Sequence, residues 1–315
     1  MKISVLIPAY NASRTLRQAI DSALAQSYSP FEIVVIDDGS TDGTYSIMQS
    51  YGAALKAFRQ NNAGVAATRN TLCSLASGEL IAFLDSDDIW HPGYLESQNR
   101  VAESHPEAVA LFTGHMDFRD GTAFLWEKVP TPSEFMPITY SAIDFIRRYN
   151  SFPGPFANLS HLCMPVGVLP RLGPKPFQMR IGEDFYFMNR LALYSPGPVT
   201  YLPVALCAYR LRGDSISSDR LRWSKGEVEA MELLADEYAL LADPDLQKLF
   251  LQAFDMKRRL HARLLMGANR VVEARGQLRR CLRKSPTVKS AGKSLALMAL
   301  SYFPRPLQPS RRGVR

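Results

Sequence analysis

IAFLDSDDIW, residues 81–90, sets an apolar run directly against three carboxylates. Ile81, Ala82, Phe83 and Leu84 leave no polar face for water, so the run reads as a short strand buried on both sides. Asp85, Asp87 and Asp88 then crowd into four positions. Acids this close repel one another, and a divalent cation held by oxygen ligands is an economical compensation. Taken alone, the pattern equally describes a solvated acidic turn between a strand and a helix. In an open α/β sheet, ligands bind beyond the carboxyl ends of the strands, which is where this cluster falls.

Working outward, ISVLI at 3–7 reads as another buried strand, with Pro8 to Asn11 turning the chain out of it. A helix is expected over 14–26, where Leu16, Ala19, Ile20, Ala23 and Leu24 share one face and Asn11 or Ser13 can cap the start. Pro30 breaks the chain before a second strand at 32–36. The loop DDGSTDG at 37–43 follows, with Thr41 or Asp42 placed to cap a helix from about 44 to 51. NNAG at 61–64 opens another loop before a helix at 65–76. The strand at 80–84, a helix at 92–104 and a strand at 108–113 continue the alternation, which is the grammar of a parallel, doubly wound sheet. From about 120 to 180 the chain is proline-rich and loop-dominated, and long loops over a sheet are where a second substrate is commonly gripped. A helix at 182–193 and a strand at 199–208 close the α/β region. From about Trp223 to 284 the pattern is helical, interrupted at Pro244 and Gly267, and 270–286 reads as one arm of a helical hairpin.

The chain has 315 residues, 46% of them hydrophobic, enough for one large domain and an appendage. Its four cysteines, Cys73, Cys163, Cys207 and Cys281, lie far apart with no Cys-x-x-Cys pair. That argues against a zinc site and against a disulfide framework, and fits a reduced compartment. No apolar run is long enough to span a bilayer, and the N-terminus has no signal-peptide core. A cytoplasmic protein is expected. The net charge of +7 is uneven: residues 241–315 carry +13 and residues 1–240 carry −6. A basic tail points to nucleic acid or to an anionic membrane surface.

Four stretches stand in order with compatible spacing: ISVLIPAYN, EIVVIDDGSTDGT, NNAGVAATRN and FLDSDD. Together they resemble the family 2 glycosyltransferases, inverting enzymes of GT-A fold that use nucleotide-sugar donors. The resemblance is dense from residue 3 to about 95, thinner to about 215 and absent beyond. It implies a GT-A, Rossmann-like, mostly parallel sheet flanked by helices over 1–215, and a helical C-terminal extension with a basic tail over 216–315. It also implies an activity: transfer of a hexosyl or N-acetylhexosaminyl unit from a nucleotide-diphosphate donor, with a UDP-sugar expected, to a saccharide or lipid-linked acceptor in cell-surface polysaccharide synthesis. The alternative on the same fold is a catalytically inactive nucleotide-sugar-binding scaffold. A nucleotidyltransferase shares such a sheet, but its Gly-rich basic triphosphate loop is missing from ISVLIPAYN.

By the same resemblance Asp87 matches the last acid of the family's Asp-x-Asp and is the expected metal ligand for Mg²⁺ or Mn²⁺, a hard cation suited to oxygen. Asp85 then contacts the ribose or donor sugar, or supports the metal through water, and Ser86 counts among the donor-binding positions. Asp88 either joins them or caps the following helix. Asp38 of DDGS matches the acid that hydrogen-bonds the base, with Asp37 a turn residue or second ligand. Pro8 and Tyr10 match the loop whose aromatic lies against the base. Asn62, Gly64 and Arg69 match N-x-G-x-x-x-x-R-N, whose guanidinium pairs with diphosphate or base. Inverting transfer needs a carboxylate to take the acceptor's proton. Asp184 matches that base, and the adjoining Glu183 is its supporter or replacement; both are also well placed for a helix start. After Tyr209 and Arg210 many relatives carry a His, where this chain has Arg212. Of the histidines, His161 is the one candidate for the acceptor site.

Ser-His-Asp, Walker, His-Glu-x-x-His and G-x-G-x-x-G patterns are all missing. Beyond Phe254 the basic tail carries only Tyr302 and Phe303 as aromatics and no recognised module, so no nucleic-acid partner is expected. Leu295 to Phe303, with Lys289 and Lys293 before it and Arg305, Arg311 and Arg312 after it, has the pattern of a segment lying in a membrane interface; a helix packed on its own unit fits equally. Peripheral attachment at the inner face of the cell membrane is the matching location.

Overall fold

The computed structural model describes residues 1–122, 124, 126, 134–150, 158–195, 197–213, 218–240, 243–283 and 288–302. The chain divides into two compact units, Met1–Ser218 and Asp219–Arg315. Phe303, Arg305, Arg311 and Arg312 lie outside the described residues.

The first unit runs β1 (Ile3–Ala9), α1 (Leu16–Leu24), β2 (Glu32–Asp37), α2 (Thr44–Gln49), β3 (Lys56–Arg59), α3 (Val65–Leu75), β4 (Leu80–Phe83), β5 (Ile89–Trp90), α4 (Tyr94–Ser104), β6 (Ala110–Arg119), β7 (Ile138–Tyr140), α5 (Ala142–Asn150), β8 (Leu162–Pro165), α6 (Glu183–Tyr194) and β9 (Val199–Leu211). Among the described residues the sheet has nine strands in the order β3-β2-β1-β4-β8-β6-β9-β5, with β7 also on β9. β3, β2, β1 and β4 are mutually parallel. β8 is antiparallel to both β4 and β6, so β6 and its parallel partner β9 run the same way as β4. The architecture is therefore α/β with a mostly parallel sheet flanked by helices. β1 and β2 are buried at every position, as continuous apolar strands covered on both faces must be.

From β1 the chain winds outward to β2 and β3, then crosses back to place β4 on the other side of β1. That reversal is the topological switch point, and its crevice lies beyond the carboxyl ends of β1 and β4. Leu84 N donates to Leu6 O at 3.0 Å, so Tyr10 and Asp85 leave the sheet from neighbouring strands. Trp90 stacks on Tyr94 with centroids 4.2 Å apart, both in the core. The expected elements appear with shifted ends. The extra strands β3, β5, β7 and β8 are short or half-polar, too brief for periodicity to separate from loop.

Several expected caps are replaced. Neither Asn11 nor Ser13 caps α1, whose N-cap is Thr15 without a side-chain bond. Asn11 Oδ1 instead accepts from Thr41 N at 2.9 Å, and Ser13 N donates to Asp42 Oδ2 at 3.1 Å, tying the first two loops together. Asp42 Oδ1 accepts from Thr44 N at 3.0 Å, but the N-cap of α2 is Gly43, without a side-chain bond, and not Thr41 or Asp42.

The second unit holds α7 (Arg220–Ala239), α8 (Pro244–Gly267), α9 (Val271–Arg283) and α10 (Val288–Leu300). Asp219 and Asp243 cap α7 and α8 with their carboxylates, and Pro244 sits at the first helical position, where its missing N–H costs nothing. Ala262, Leu265, Ala274, Leu278 and Leu297 form its apolar centre. Charge is paired across the helices: in burial Lys257 Nζ meets Glu227 Oε1 at 2.5 Å, and at the surface Glu232 Oε1 accepts from Arg258 and Arg280.

Candidate active site

Two groups of polar side chains stand at the carboxyl ends of the parallel strands, joined through α3. The first surrounds Asp38, which is buried. Its Oδ1 accepts from Gln60 Nε2 at 2.7 Å and Ala63 N at 2.9 Å, and its Oδ2 accepts from Gly64 N at 2.8 Å. Asn62 Nδ2 donates to Asp38 O at 3.0 Å. Asp38, Asn62 and Gly64 thus meet in one folded pair of loops. Gly39 allows the approach: its φ is +74°, and a Cβ there would stand 2.8 Å from Asn62 N. Asp37 is the last residue of β2, not a turn residue; its Oδ1 accepts from Ser40 N at 3.0 Å in the turn that follows, and its other oxygen faces Arg59 Nε at 3.1 Å. Pro8 is buried inside β1, whereas Tyr10 just beyond it is 52% exposed, leaving its ring open to a planar ligand. A cleft of about 910 Å³ along α3 is lined by Asn62, Gly64, Asn70, Phe177 and Arg180, among others, but not by the carboxylates.

The second group is the acidic one. Arg69, on α3 and only 4% exposed, donates from Nη2 to Asp85 Oδ1 at 2.6 Å and from Nη1 to Glu183 Oε1 at 2.7 Å. Burial works against its charge, but Asp85 and Glu183 outweigh burial and hold the guanidinium more firmly protonated than usual. The ring of Phe177 lies 5.8 Å beneath it. Gly182, in the left-handed region at φ +81°, starts α6 and puts Glu183 and Asp184 in its first turn. Asp184 is buried, and its Oδ1 accepts from Phe185 N at 2.7 Å. Burial first and the neighbouring Glu183 second push its carboxyl up to about 7, against the pull of Arg69.

Asp88 does not cap a helix. Its two oxygens accept from Ser160 Oγ at 2.5 Å and from Arg210 N at 3.0 Å in full burial. Burial, then Asp87 and Asp85, raise its carboxyl well above the usual range. Ser160 Oγ also accepts from Asp85 N at 3.0 Å, so one hydroxyl secures both ends of the acidic turn. Arg210 holds the turn from the other side, donating from Nε to Asp87 O at 2.7 Å and from Nη1 to Asp120 Oδ1 at 3.1 Å. Ser86 is half-buried in this turn. Ser160 lies in the loop-rich stretch and Asp120 at its edge, with no motif to mark either. Arg210 belongs to the noted Tyr-Arg pair, the one signal available for this clamp.

Asp87 lies half-buried in the same turn. Burial and the Asp85 charge raise its pKa, while Arg212 lowers it, with Arg212 Nη2 3.1 Å from Asp87 Oδ2. Among the described residues no three His, Cys, Asp or Glu side chains converge as a ready-made metal cage. The donor set fits a hard cation that takes one carboxylate from Asp87 and its other oxygens from a diphosphate and water. His161, considered for the acceptor site, is fully buried. Its Nε2 accepts from Asn158 N at 3.0 Å, it stacks on His115, and burial pushes its pKa down to about 3. It is a neutral structural group.

Comparison with known proteins shows the family and the fold. The sequence profile of Glycosyl transferase family 2 matches residues 4–164. The chain is 28% identical over 247 residues to glycosyltransferase GlyA of Streptococcus pneumoniae, matching 77% of this chain but 35% of that protein. It is 29% identical over 235 residues to UDP-Glc:alpha-D-GlcNAc-diphosphoundecaprenol beta-1,3-glucosyltransferase WfgD of Escherichia coli, over 73% of this chain and 85% of that one. Among solved structures, S. aureus TarS in complex with UDP-GlcNAc superposes with a TM-score of 0.70 at 17% identity, covering 96% of this chain and 89% of the other. The mannosyltransferase of Pyrobaculum calidifontis in complex with GDP-Man and Mn²⁺ does so at 0.61 and 19%, over 96% and 81%. The profile match takes in the first two motif loops, α3, the acidic turn and β8, and the chain belongs to the family 2 glycosyltransferases.

Proposed function

We propose that this glycosyltransferase moves a hexosyl or N-acetylhexosaminyl unit from a UDP-sugar to a hydroxyl of a saccharide or lipid-linked acceptor, inverting the anomeric centre in one displacement. The supporting observation is the buried Arg69, which joins Asp85 to Glu183 while the neighbouring Asp184 has its carboxyl pushed up to about 7. A base with a pKa near the working pH combines a useful deprotonated fraction with a real affinity for the proton it must take.

In this reading Asp184 accepts the acceptor hydroxyl's proton as that oxygen bonds to the anomeric carbon, and the sugar's bond to the diphosphate breaks on the opposite face. Glu183 is held aside by Arg69 and sets the charge around the base. Tyr10 lies against the nucleobase, Pro8 is buried in the strand behind it, and the loops locked together by Asp38, Asn62 and Gly64 shape its pocket. Asp85 and Ser86 face the donor's sugars. Mg²⁺ or Mn²⁺ bound at Asp87 would neutralise charge on the departing diphosphate. The UDP-GlcNAc complex of TarS and the lipid-diphosphate acceptor in the name of WfgD support the choice of donor and acceptor classes.

For location we propose the cytoplasmic side of the cell membrane, in cell-envelope polysaccharide synthesis. Among the described residues no helix is long and apolar enough to cross a membrane. Leu295, Leu300 and Tyr302 are exposed on or just after α10, with exposed Lys289 and Lys293 nearby, which supports contact with an anionic surface.

The test is binding and hydrolysis across a panel of nucleotide sugars with Mn²⁺, with Mg²⁺ and with chelator, on wild type, Asp87→Ala and Asp184→Asn. One donor should bind to wild type, weaken in Asp87→Ala, and bind without turnover in Asp184→Asn. Failure of every donor to bind would sink the reading and leave a scaffold role.

A further inference from the structure

Arg212 reaches the acidic turn at Asp87, the residue read above as the cation ligand, and that contact has a chemical consequence. It follows directly on the last residue of β9, two positions after Arg210, so both side chains leave the strand on the same side. Arg210 secures the acidic turn through the backbone of Asp87 and the carboxylate of Asp88. Arg212 meets the Asp87 carboxylate itself, Nη2 to Oδ2, at 3.1 Å. The two arginines differ in burial: the Arg210 side chain is 4% exposed and that of Arg212 is 26% exposed. Arg210 is a fixed clamp, and Arg212 borders solvent.

A histidine at this position would be mostly neutral at pH 7 and could add a nitrogen ligand to a cation on Asp87. A guanidinium can do neither. It keeps its positive charge, cannot coordinate a metal, and presents a planar fork that matches phosphate oxygens in pairs. A divalent cation approaching Asp87 therefore meets a carboxylate already neutralised and a like charge beside it. An incoming diphosphate meets a cation that is partly open to solvent.

Resting on the donor site proposed above, we infer that Arg212 is a diphosphate-binding residue that competes with the divalent cation for Asp87. In the free enzyme it covers Asp87 and keeps the cation's affinity low. When the donor binds, the guanidinium turns to the diphosphate and Asp87 is released to the cation. Nucleotide and metal then strengthen each other's binding, and the protein retains part of its affinity for nucleotide without any metal.

The experiment is calorimetric titration of the full chain with Mn²⁺ alone, with UDP in chelator, and with UDP in Mn²⁺, for wild type, Arg212→Gln, Arg212→His, Arg212→Lys and Asp87→Ala. Arg212→Gln should bind Mn²⁺ alone about tenfold more tightly and UDP in chelator about tenfold more weakly, the size expected for one nearby charge. Arg212→His should gain still more for Mn²⁺, and Arg212→Lys should keep part of the metal-free UDP affinity. Asp87→Ala should lose the Mn²⁺ response. If wild type binds UDP with Mn²⁺ and Asp87→Ala abolishes the metal's contribution, yet Arg212→Gln changes neither Mn²⁺ nor UDP affinity, the Arg212 inference falls and the transferase reading stands. If wild type binds no UDP under any condition, the UDP-donor reading falls and this inference with it. Circular dichroism melts confirm that each variant is folded.

Discussion

Arg69 Nη1 lies 2.7 Å from Glu183 Oε1, a contact between residues 114 positions apart that fastens the N-terminal turn of α6 to α3 and, through Nη2, to Asp85. Asp85 of the acidic turn and Glu183 of α6 are therefore held together by one buried cation. Paired charges in such a place are tolerated only while the pairing is complete.

Arg69→Ala should remove activity and lower stability by about 3 kcal/mol, because two carboxylates lose the charge that compensates them. Arg69→Lys keeps the charge but cannot fork to both acids, so it should recover most of the stability and little of the activity. Thermal melts read beside turnover separate the two effects.

With Asp184 as the proposed base, its carboxyl sets the expected pH dependence. Turnover should rise with pH and level off above about 7, as the carboxyl that burial has raised becomes a free base. Stability runs the other way. A carboxyl raised in the folded state contributes stability that is full below its unfolded value of 3.8 and is lost as pH climbs through about 7. Asp184→Asn should therefore stabilise the protein relative to wild type more at pH 8 than at pH 5, while turnover falls about 10²-fold or more. A stability difference independent of pH would contradict this assignment.

Ser160→Ala leaves the buried Asp88 carboxylate and the Asp85 amide each short of a partner. A loss of about 2 kcal/mol is expected, with weaker donor binding because the acidic turn loosens. Unchanged donor affinity in a folded Ser160→Ala variant would show that the turn is held without it.

Gly39→Ala places a methyl against Asn62 N on a backbone at φ +74°. We expect a loss of about 1–3 kcal/mol and weakened nucleotide binding, since the Asp38 and Asn62 loops must separate. A melting curve and a UDP titration decide it.

Leu295→Asp with Leu300→Asp should abolish co-sedimentation with anionic vesicles and leave UDP binding unaltered. Equal sedimentation of wild type with neutral and anionic vesicles would argue against the charged membrane partner.

The strands β1, β2 and β4, the helices between them and the helical character of the C-terminal third were legible in the chain itself. Each is long or uniformly apolar enough for its periodicity to outweigh local ambiguity. Asp85, Asp87, Glu183 and Asp184 were likewise visible as acids placed at strand or helix ends. Helix caps were read less well, because Asn11 and Ser13 bond across to the second loop in preference to their own helix. His161 was the one histidine placed to be considered for the acceptor site, and its full burial agrees with the structural role that a lone histidine usually has.

What the amino-acid order determined alone is which residue types end which elements, since propensity and patterning act over a few neighbours. Only the tertiary structure decided that Ser160 would grip both ends of the acidic turn, that Arg210 would clamp it, and that Arg212 would sit on Asp87. Those contacts join residues some 70 to 125 positions apart. Hydrogen bonds and ion pairs at that separation depend on how strands far apart in the chain come to lie side by side, and no local pattern carries that information.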